Sequence, residues 1–360
     1  MSNLFLTIAA IHPLNVAAMS AAEERQGMLT KPPKALGRLE TLSIRLAGIT
    51  GNAFPSMQRK VITVMAGDHG VVVEGVSAFP AEVTPQMVLN FIAGGAAINV
   101  LGRHVGARVI VTDVGVASDL SRVEGVRHRN VRMGTANMAQ GPAMTRDEAI
   151  RAFEVGIETV EEEIANGLDI IATGEMGIGN TTPSSAIIAA LTGLPVAEVT
   201  GRGTGISDQA LLLKCLVIEK ALALNKPDVS DPIDVMAKVG GLEIAALAGV
   251  MLAAAAHRIP VVMDGFISGA AALTAARLCP LVAEYILPSH VSVEIGHKVV
   301  FEELGLTPLF DLGMRLGEGT GAALAMSIID ASAKILREMA TFQSAGVSGE
   351  MVEPPSTPLS

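Results

Sequence analysis

Ile170-Ile171-Ala172-Thr173-Gly174-Glu175-Met176-Gly177-Ile178-Gly179-Asn180-Thr181-Thr182-Pro183 decides the fold of this chain. An apolar run leads into it, as in a strand buried on both faces. Glycines 174, 177 and 179 then predict a loop with Glu175 inside it. Thr181-Thr182-Pro183 supplies hydroxyl caps and a proline suited to the first turn of a helix. Together these aim backbone N–H groups and a helix dipole at one spot, which suits an anion such as a phosphate. A carboxylate placed beside that cradle points to chemistry on the sugar that carries the phosphate.

The same rhythm recurs outward from this stretch. Residues 61–66 run into Gly67-Asp68-His69-Gly70, 107–112 into Asp113-Val114-Gly115, and 259–263 into Asp264-Gly265. A shorter run, 283–287, meets Pro288-Ser289-His290. Apolar strands alternating with helical segments predict an α/β fold, a Rossmann-like parallel sheet covered by helices. In such sheets the ligand lies outside the carboxyl ends of the strands, so these acids and glycines should ring one cleft. Residues 1–55 and 301–343 read as helical and are expected to form a smaller helical lobe around the 56–300 core, the second segment bringing Glu318 with it. The proline-rich stretch 344–360 reads as a disordered tail.

Composition excludes several classes. With no Trp, one Tyr and a net charge of −10, the chain is poorly suited to bind nucleic acid, which calls for basic stripes and stacking aromatics. Cys215 and Cys279 are far apart and read as reduced thiols of a cytoplasmic protein. The first residues lack the pattern of a signal peptide. The most apolar stretch, Ile244 to Ala256, falls short of the ~18 residues of a membrane span and is expected to be a buried helix.

Three further segments carry chemistry. In Arg315-Leu316-Gly317-Glu318-Gly319-Thr320-Gly321, glycines flank a carboxylate and leave it open to a ligand. In a dry site desolvation would raise its pKa towards that of a general base; capping of the following helix is the other reading. Gly201-Arg202-Gly203-Thr204-Gly205 precedes a helix started by Ser207 or Asp208, and Lys214 on that helix could reach back to a phosphate. Its spacing is not that of a dinucleotide fingerprint, and no phosphate-loop motif of the kinase type occurs. His290, Glu294 and His297 fall on one face if their segment is helical, an arrangement better read as a buried face than as a metal site. His69 stands at a strand end as a site residue or a supporting group.

Several longer runs resemble the nicotinate-nucleotide–dimethylbenzimidazole phosphoribosyltransferases of cobalamin lower-ligand assembly. They include Lys31-Pro32-Pro33-Lys34-Ala35-Leu36-Gly37-Arg38-Leu39-Glu40, Gly67-Asp68-His69-Gly70, Ser77-Ala78-Phe79-Pro80 with Thr84-Pro85-Gln86-Met87, Gly174 to Pro183, Asp264-Gly265-Phe266, and Arg315 to Gly319. The resemblance covers nearly the whole chain, in order, up to about Phe342. It implies transfer of a phosphoribosyl group from nicotinate mononucleotide to 5,6-dimethylbenzimidazole, giving α-ribazole 5′-phosphate and nicotinate. It also implies Glu318 as the base, and Glu175 as the second acid, serving the ribose and the charge at C1′. Gly174, Gly177, Gly203 and Gly205 with Lys214 would bind the phosphoribosyl end; Phe79, Gln86, Met87 and Leu316 would bind the base. No metal and no cofactor are expected, and family members are homodimers. Two rivals remain on the residues alone: a dinucleotide-dependent oxidoreductase on a similar sheet, and a non-catalytic nucleotide carrier. The first wants a glycine fingerprint after the first long strand, where Gly67-Asp68-His69-Gly70 stands instead; the second has no use for Glu318 between glycines.

Overall fold

The computed structural model describes residues 3–203 and 205–348. The N-terminal third opens with helices α1 (Asn3–Ala9), α2 (Val16–Met28) and α3 (Arg38–Thr50). Strand β1 (Lys60–Gly67) leads to α4 (Val83–Ile92) and α5 (Ala97–Val105), then to β2 (Ala107–Gly115), β3 (Val126–His128) and α6 (Arg146–Ala165). Next come β4 (Ile170–Met176), α7 (Thr181–Thr192), α8 (Val196–Val199), α9 (Asp208–Asn225), α10 (Pro232–Val239) and α11 (Leu242–Ala256). The chain continues through β5 (Val261–Met263), α12 (Phe266–Leu278), β6 (Ile286–Pro288), α13 (Gly296–Leu304), α14 (Thr320–Glu338) and α15 (Phe342–Ala345).

Among the described residues the strands form one sheet in the order β3-β2-β1-β4-β5-β6, parallel throughout. This is the doubly wound order, and its switch point lies between β1 and β4. Lys60 pairs with Ala107 on one side and Ile170 on the other, which brings the ends of β1, β2 and β4 to one edge. All five apolar runs read from the sequence form strands. β3 gave no such signal, because three residues at the sheet edge, Val126-Arg127-His128, need no apolar run.

Helix α11 is buried from Leu242 to Ala255, as its unbroken hydrophobicity requires. It meets α6 with almost no side chain between the backbones. A Cβ on Gly156 would fall inside the Ala246 carbonyl, and one on Gly249 inside the Phe153 carbonyl. The stretch Val83–Val105 reaches membrane-spanning hydropathy and length, yet it is two helices of 10 and 9 residues broken at Gly94-Gly95, each too short to span.

The chain divides into two units, cut after Leu14, Ser56 and Ser327. The helical lobe expected from the sequence is therefore smaller than residues 1–55 plus 301–343. Helix α1 packs on α6 and α11, and α13 on α7 and α12, because their apolar faces find cover there. Within the second unit Ala18, Ala22, Ala47 and Leu336 form a small-residue core, and Arg25 Nη2 donates to the Met339 carbonyl at 2.9 Å. Lys31 and Glu40 pair there at 2.9 Å with little exposure. Of the expected tail, residues 344 and 345 belong to α15; residues 349–360 lie outside the described residues.

Gly156→Ala is expected to lower stability by ~1–3 kcal/mol, since the backbones must part to admit the methyl group. Gly27→Ala, at a helical position with nothing within 4 Å, should instead be neutral or stabilising by up to ~1 kcal/mol. Urea unfolding midpoints of the two variants check the contrast.

Candidate active site

Glu318 stands in a turn of unusual backbone conformation. Gly317, Glu318 and Gly319 adopt successive left-handed conformations, with φ of 82°, 62° and 93°. Glycine does this freely, whereas a residue with a Cβ loses ~1–2 kcal/mol, so the turn needs outside support. Two buried carboxylates give it. Glu175 accepts the Glu318 backbone N–H and the Asn180 Nδ2 donor. Asp264, directly after β5, accepts from Gly319 N at 3.2 Å and Ala322 N at 2.9 Å, with the N–H groups of Gly321 and Gly265 adding to these. Free N–H groups at the start of α14 thus find partners in side chains carried by β4 and β5.

Such burial is electrostatically expensive. It pushes the Asp264 carboxyl up to about 7 despite its four backbone donors. It pushes Glu175 up to about 8, with the Asn180 bond opposing and the charges of Asp264 and Glu243 adding. The Glu318 carboxyl is also raised by burial, against one donor: Ile98 N, in the first turn of α5, reaches Oε2 at 3.2 Å. The space around the turn is equally exact. A Cβ on Gly317 would collide with Glu175 Oε1, and one on Gly174 with the Glu318 carbonyl.

These groups line a cavity of about 330 Å³ at the carboxyl ends of the strands. Its polar lining comes from Glu175, Glu318, the 177–181 loop, Gly203, His290, Ser292, Glu294 and Arg315. Its apolar lining includes Phe79, Val83, Met87 and Leu316. The structure therefore brings together Glu175, Glu318, Gly177, Gly203, Phe79, Met87 and Leu316. Gln86 is exposed on α4 and lies outside the lining, as does Gly205, which stands beside the Arg315 guanidinium. Gly174 sits beneath the Glu318 turn. Lys214 is fully buried behind the wall, its Nζ donating to Thr181 Oγ1 at 2.8 Å and the Gly201 carbonyl at 3.2 Å. Burial pushes this ammonium down to about 8, with Glu294 opposing.

Three local readings change. Glu175 belongs to β4 rather than to the loop, since Met65 pairs with it across the sheet. The threonine hydroxyls do not cap α7: Thr181 receives Lys214, Thr182 Oγ1 has no partner, and the helix start is closed by backbone bonds such as Thr182 N to the Gly179 carbonyl. His290, Glu294 and His297 do not share a helix face, because α13 begins only at Gly296. The preceding backbone pairs sideways instead, with Val291 N donating to Phe310 O and Val293 N to Met314 O. Glu294 Oε1 takes the Gly203 N–H at 2.8 Å, and His297 Nδ1 takes the Ser292 N–H at 3.0 Å. Among the described residues no group of three His, Cys, Asp or Glu side chains could hold a metal ion.

Sequence reasoning gave no task to Asn180, Ser292 or Arg315, placed Asp264 only as an acid at the cleft, and set His290 and Glu294 on a helix face. Asp264 was visible as an acid at a strand end, but its partners lie more than fifty residues downstream. His290, whose Nδ1 lies 2.9 Å from Ser289 Oγ and whose ring stacks on Phe310, was visible at the end of the 283–287 run and as part of the false helix.

The phosphoribosyltransferase profile DBI_PRT matches residues 11–347. Nicotinate-nucleotide–dimethylbenzimidazole phosphoribosyltransferase of Roseiflexus sp. (strain RS-1) is 61% identical over 351 residues, covering 98% of this chain and 99% of the relative. The protein of the same name from Chloroflexus aggregans (strain MD-66 / DSM 9485) is 62% identical over 348 residues, covering 97% and 99%. The crystal structure of CobT from Thermus thermophilus superposes with a TM-score of 0.89 at 49% identity, covering 92% of this chain and 99% of that one. With the family profile, sequence identity and fold shared along nearly its full length, the chain belongs to the DBI_PRT phosphoribosyltransferase family.

Proposed function

We propose that this protein transfers the phosphoribosyl group of nicotinate mononucleotide to 5,6-dimethylbenzimidazole, forming α-ribazole 5′-phosphate and nicotinate in cobalamin nucleotide-loop assembly. The carrying observation is a desolvated carboxylate, Glu318, held on an immobilised turn in a cavity that is apolar at Phe79, Met87 and Leu316 and polar at the 177–181 loop that leads into α7.

The chemistry asks little of the leaving side. As the C1′–N bond breaks, its electron pair neutralises the pyridinium nitrogen, so nicotinate departs without a proton. The benzimidazole attacks C1′ from the opposite face and inverts it from β to α. Its other nitrogen must then lose a proton, and Glu318 takes it. Ile98 N–H occupies Oε2, which leaves Oε1 for that proton. Glu175 holds the turn and faces the developing charge at C1′; a cationic pyridinium beside it favours its ionised form. The phosphate lies at the N-terminus of α7 against Gly177 and Gly203, with Arg315 beside it and Lys214 acting through Thr181. Gly174 serves instead by admitting the Glu318 turn above it, and Gly205 by its place beside the Arg315 guanidinium. The acceptor lies against Phe79, Met87 and Leu316, with Gln86 at its edge. No metal or cofactor takes part. The protein works in the cytoplasm as a homodimer; the exposed Leu212 and Leu216 on α9 favour the second copy.

Purified protein should release nicotinate from nicotinate mononucleotide only when the base is present; release without the base would indicate a glycohydrolase. Glu318→Gln should cut kcat by roughly 10²–10⁴ while leaving nucleotide binding largely intact, and undiminished turnover would remove Glu318 from the role of base.

The raised carboxyls predict a stability profile. Their folded values, about 7 for Asp264 and about 8 for Glu175, exceed the ~4 of an unfolded chain, so the folded protein holds these protons more tightly. That contribution is complete below about pH 4 and is lost as pH rises through about 7 and 8. The urea midpoint should therefore fall between pH 5 and 8.5, and fall less in Asp264→Asn; parallel slopes in both proteins would contradict this.

A further inference from the structure

His69 and Glu243 form a buried pair that the reaction as derived does not use. His69 Nε2 lies 2.7 Å from Glu243 Oε1, and both side chains are closed to solvent. Glycines pack around it. A Cβ on Gly67 would stand 3.0 Å from Glu243 Oε2, and one on Gly177 would stand 3.1 Å from His69 Nε2 and 3.3 Å from Glu243 Oε1. Three polar atoms here have no partner: His69 Nδ1, Glu243 Oε2 and Asp68 Oδ1. Two acids, Glu243 and Asp68, thus face one imidazole, so negative groups outnumber positive ones beneath Gly177.

Gly177 also lines the cavity and starts the loop that leads into α7. A buried carboxylate behind an anion cradle opposes the anion unless a cation compensates it. We propose that His69 is a positioning residue for the donor nucleotide: as imidazolium it neutralises Glu243 beneath the Gly177–Gly179 loop, so that the loop can hold the anionic phosphoribosyl group. The inference rests on nicotinate mononucleotide being the donor. The charged groups around His69 favour its proton. Glu243 faces it from α11 and Asp68 from the end of β1; Glu175 on β4 feels Glu243, but burial raises its own carboxyl to about 8. Asp113, at the end of β2, is turned to Val116 N and Asn130 instead. Burial lowers the imidazole pKa, but the charge and hydrogen bond of Glu243, with the charge of Asp68, carry it above the ordinary value.

The test is steady-state kinetics from pH 6 to 10 on wild type, His69→Gln, Glu243→Gln and the double variant. In wild type the donor KM should climb once His69 loses its proton, while the acceptor KM does not follow. His69→Gln should raise the donor KM at pH 7 about tenfold or more, the scale of one uncompensated charge a few ångströms away. Glu243→Gln should remove the part of the alkaline climb that His69 causes, leaving only that of Lys214, whose ammonium burial pushes down to about 8, and the double variant should return towards wild type at pH 7. Such rescue separates charge from packing, because packing losses would accumulate in the double variant. A flat wild-type donor KM to pH 10, or additive damage in the double variant, overturns the proposal. If His69→Gln does not fold, Glu243→Gln and the wild-type profile decide. Absence of any nicotinate release by wild type would sink the donor assignment and this inference together; turnover with unchanged KM values would sink the His69 role alone.

Discussion

Two buried carboxylates grip the backbone of one turn, and the arrangement of the site follows from that grip. Asp264 and Glu175 lie on neighbouring strands, and between them they accept the N–H groups of Glu318, Gly319, Gly321 and Ala322. Neither acid would be tolerated so deep without those donors, and the left-handed turn would not persist without the acids. Each is the other's reason for being there. The result is a third carboxylate, Glu318, fixed in space by main-chain contacts rather than by a salt bridge that would hold its proton affinity down.

The sheet is what allows this. Parallel strands end together, so β4 and β5 deliver their acids to the same edge, and α11 fixes the height of that edge by backbone-close packing on α6. Small residues at the helix contact and apolar residues in the strands are two sides of one requirement: the closer the layers approach, the more firmly the loops above them are placed.

Most of this architecture is legible in the residues because burial on both faces leaves no polar alternation in a strand, and 170–176 or 61–67 have no other stable reading. What stays hidden is whatever depends on partners far along the chain. Asp264 reads as a ligand contact until α14 is seen above it. Residues 290–295 keep a helical spacing, yet their backbone bonds go to 310–314, a pairing no local pattern announces. Thr181 and Thr182 have the composition of a cap, but the ammonium of Lys214 arrives first. Helix α1 looks like the start of the helical lobe, and only its cover on α6 and α11 decides otherwise. Short-range chemistry is written in the sequence; competition for partners is not.

The strand order also sets when the protein can become competent. Lys60 of β1 pairs with Ile170 of β4, about 110 residues later, and the two acids reach their turn only after a further 140 or so have been made. Closing loops of this size is slow, because chain entropy must be lost before the new contacts return anything. A growing or partly folded chain therefore has β1 and β2 to pair early, but no fraction of a site. Glu318 owes its desolvated setting to the docked start of α14, so no part of the site can stand without that contact.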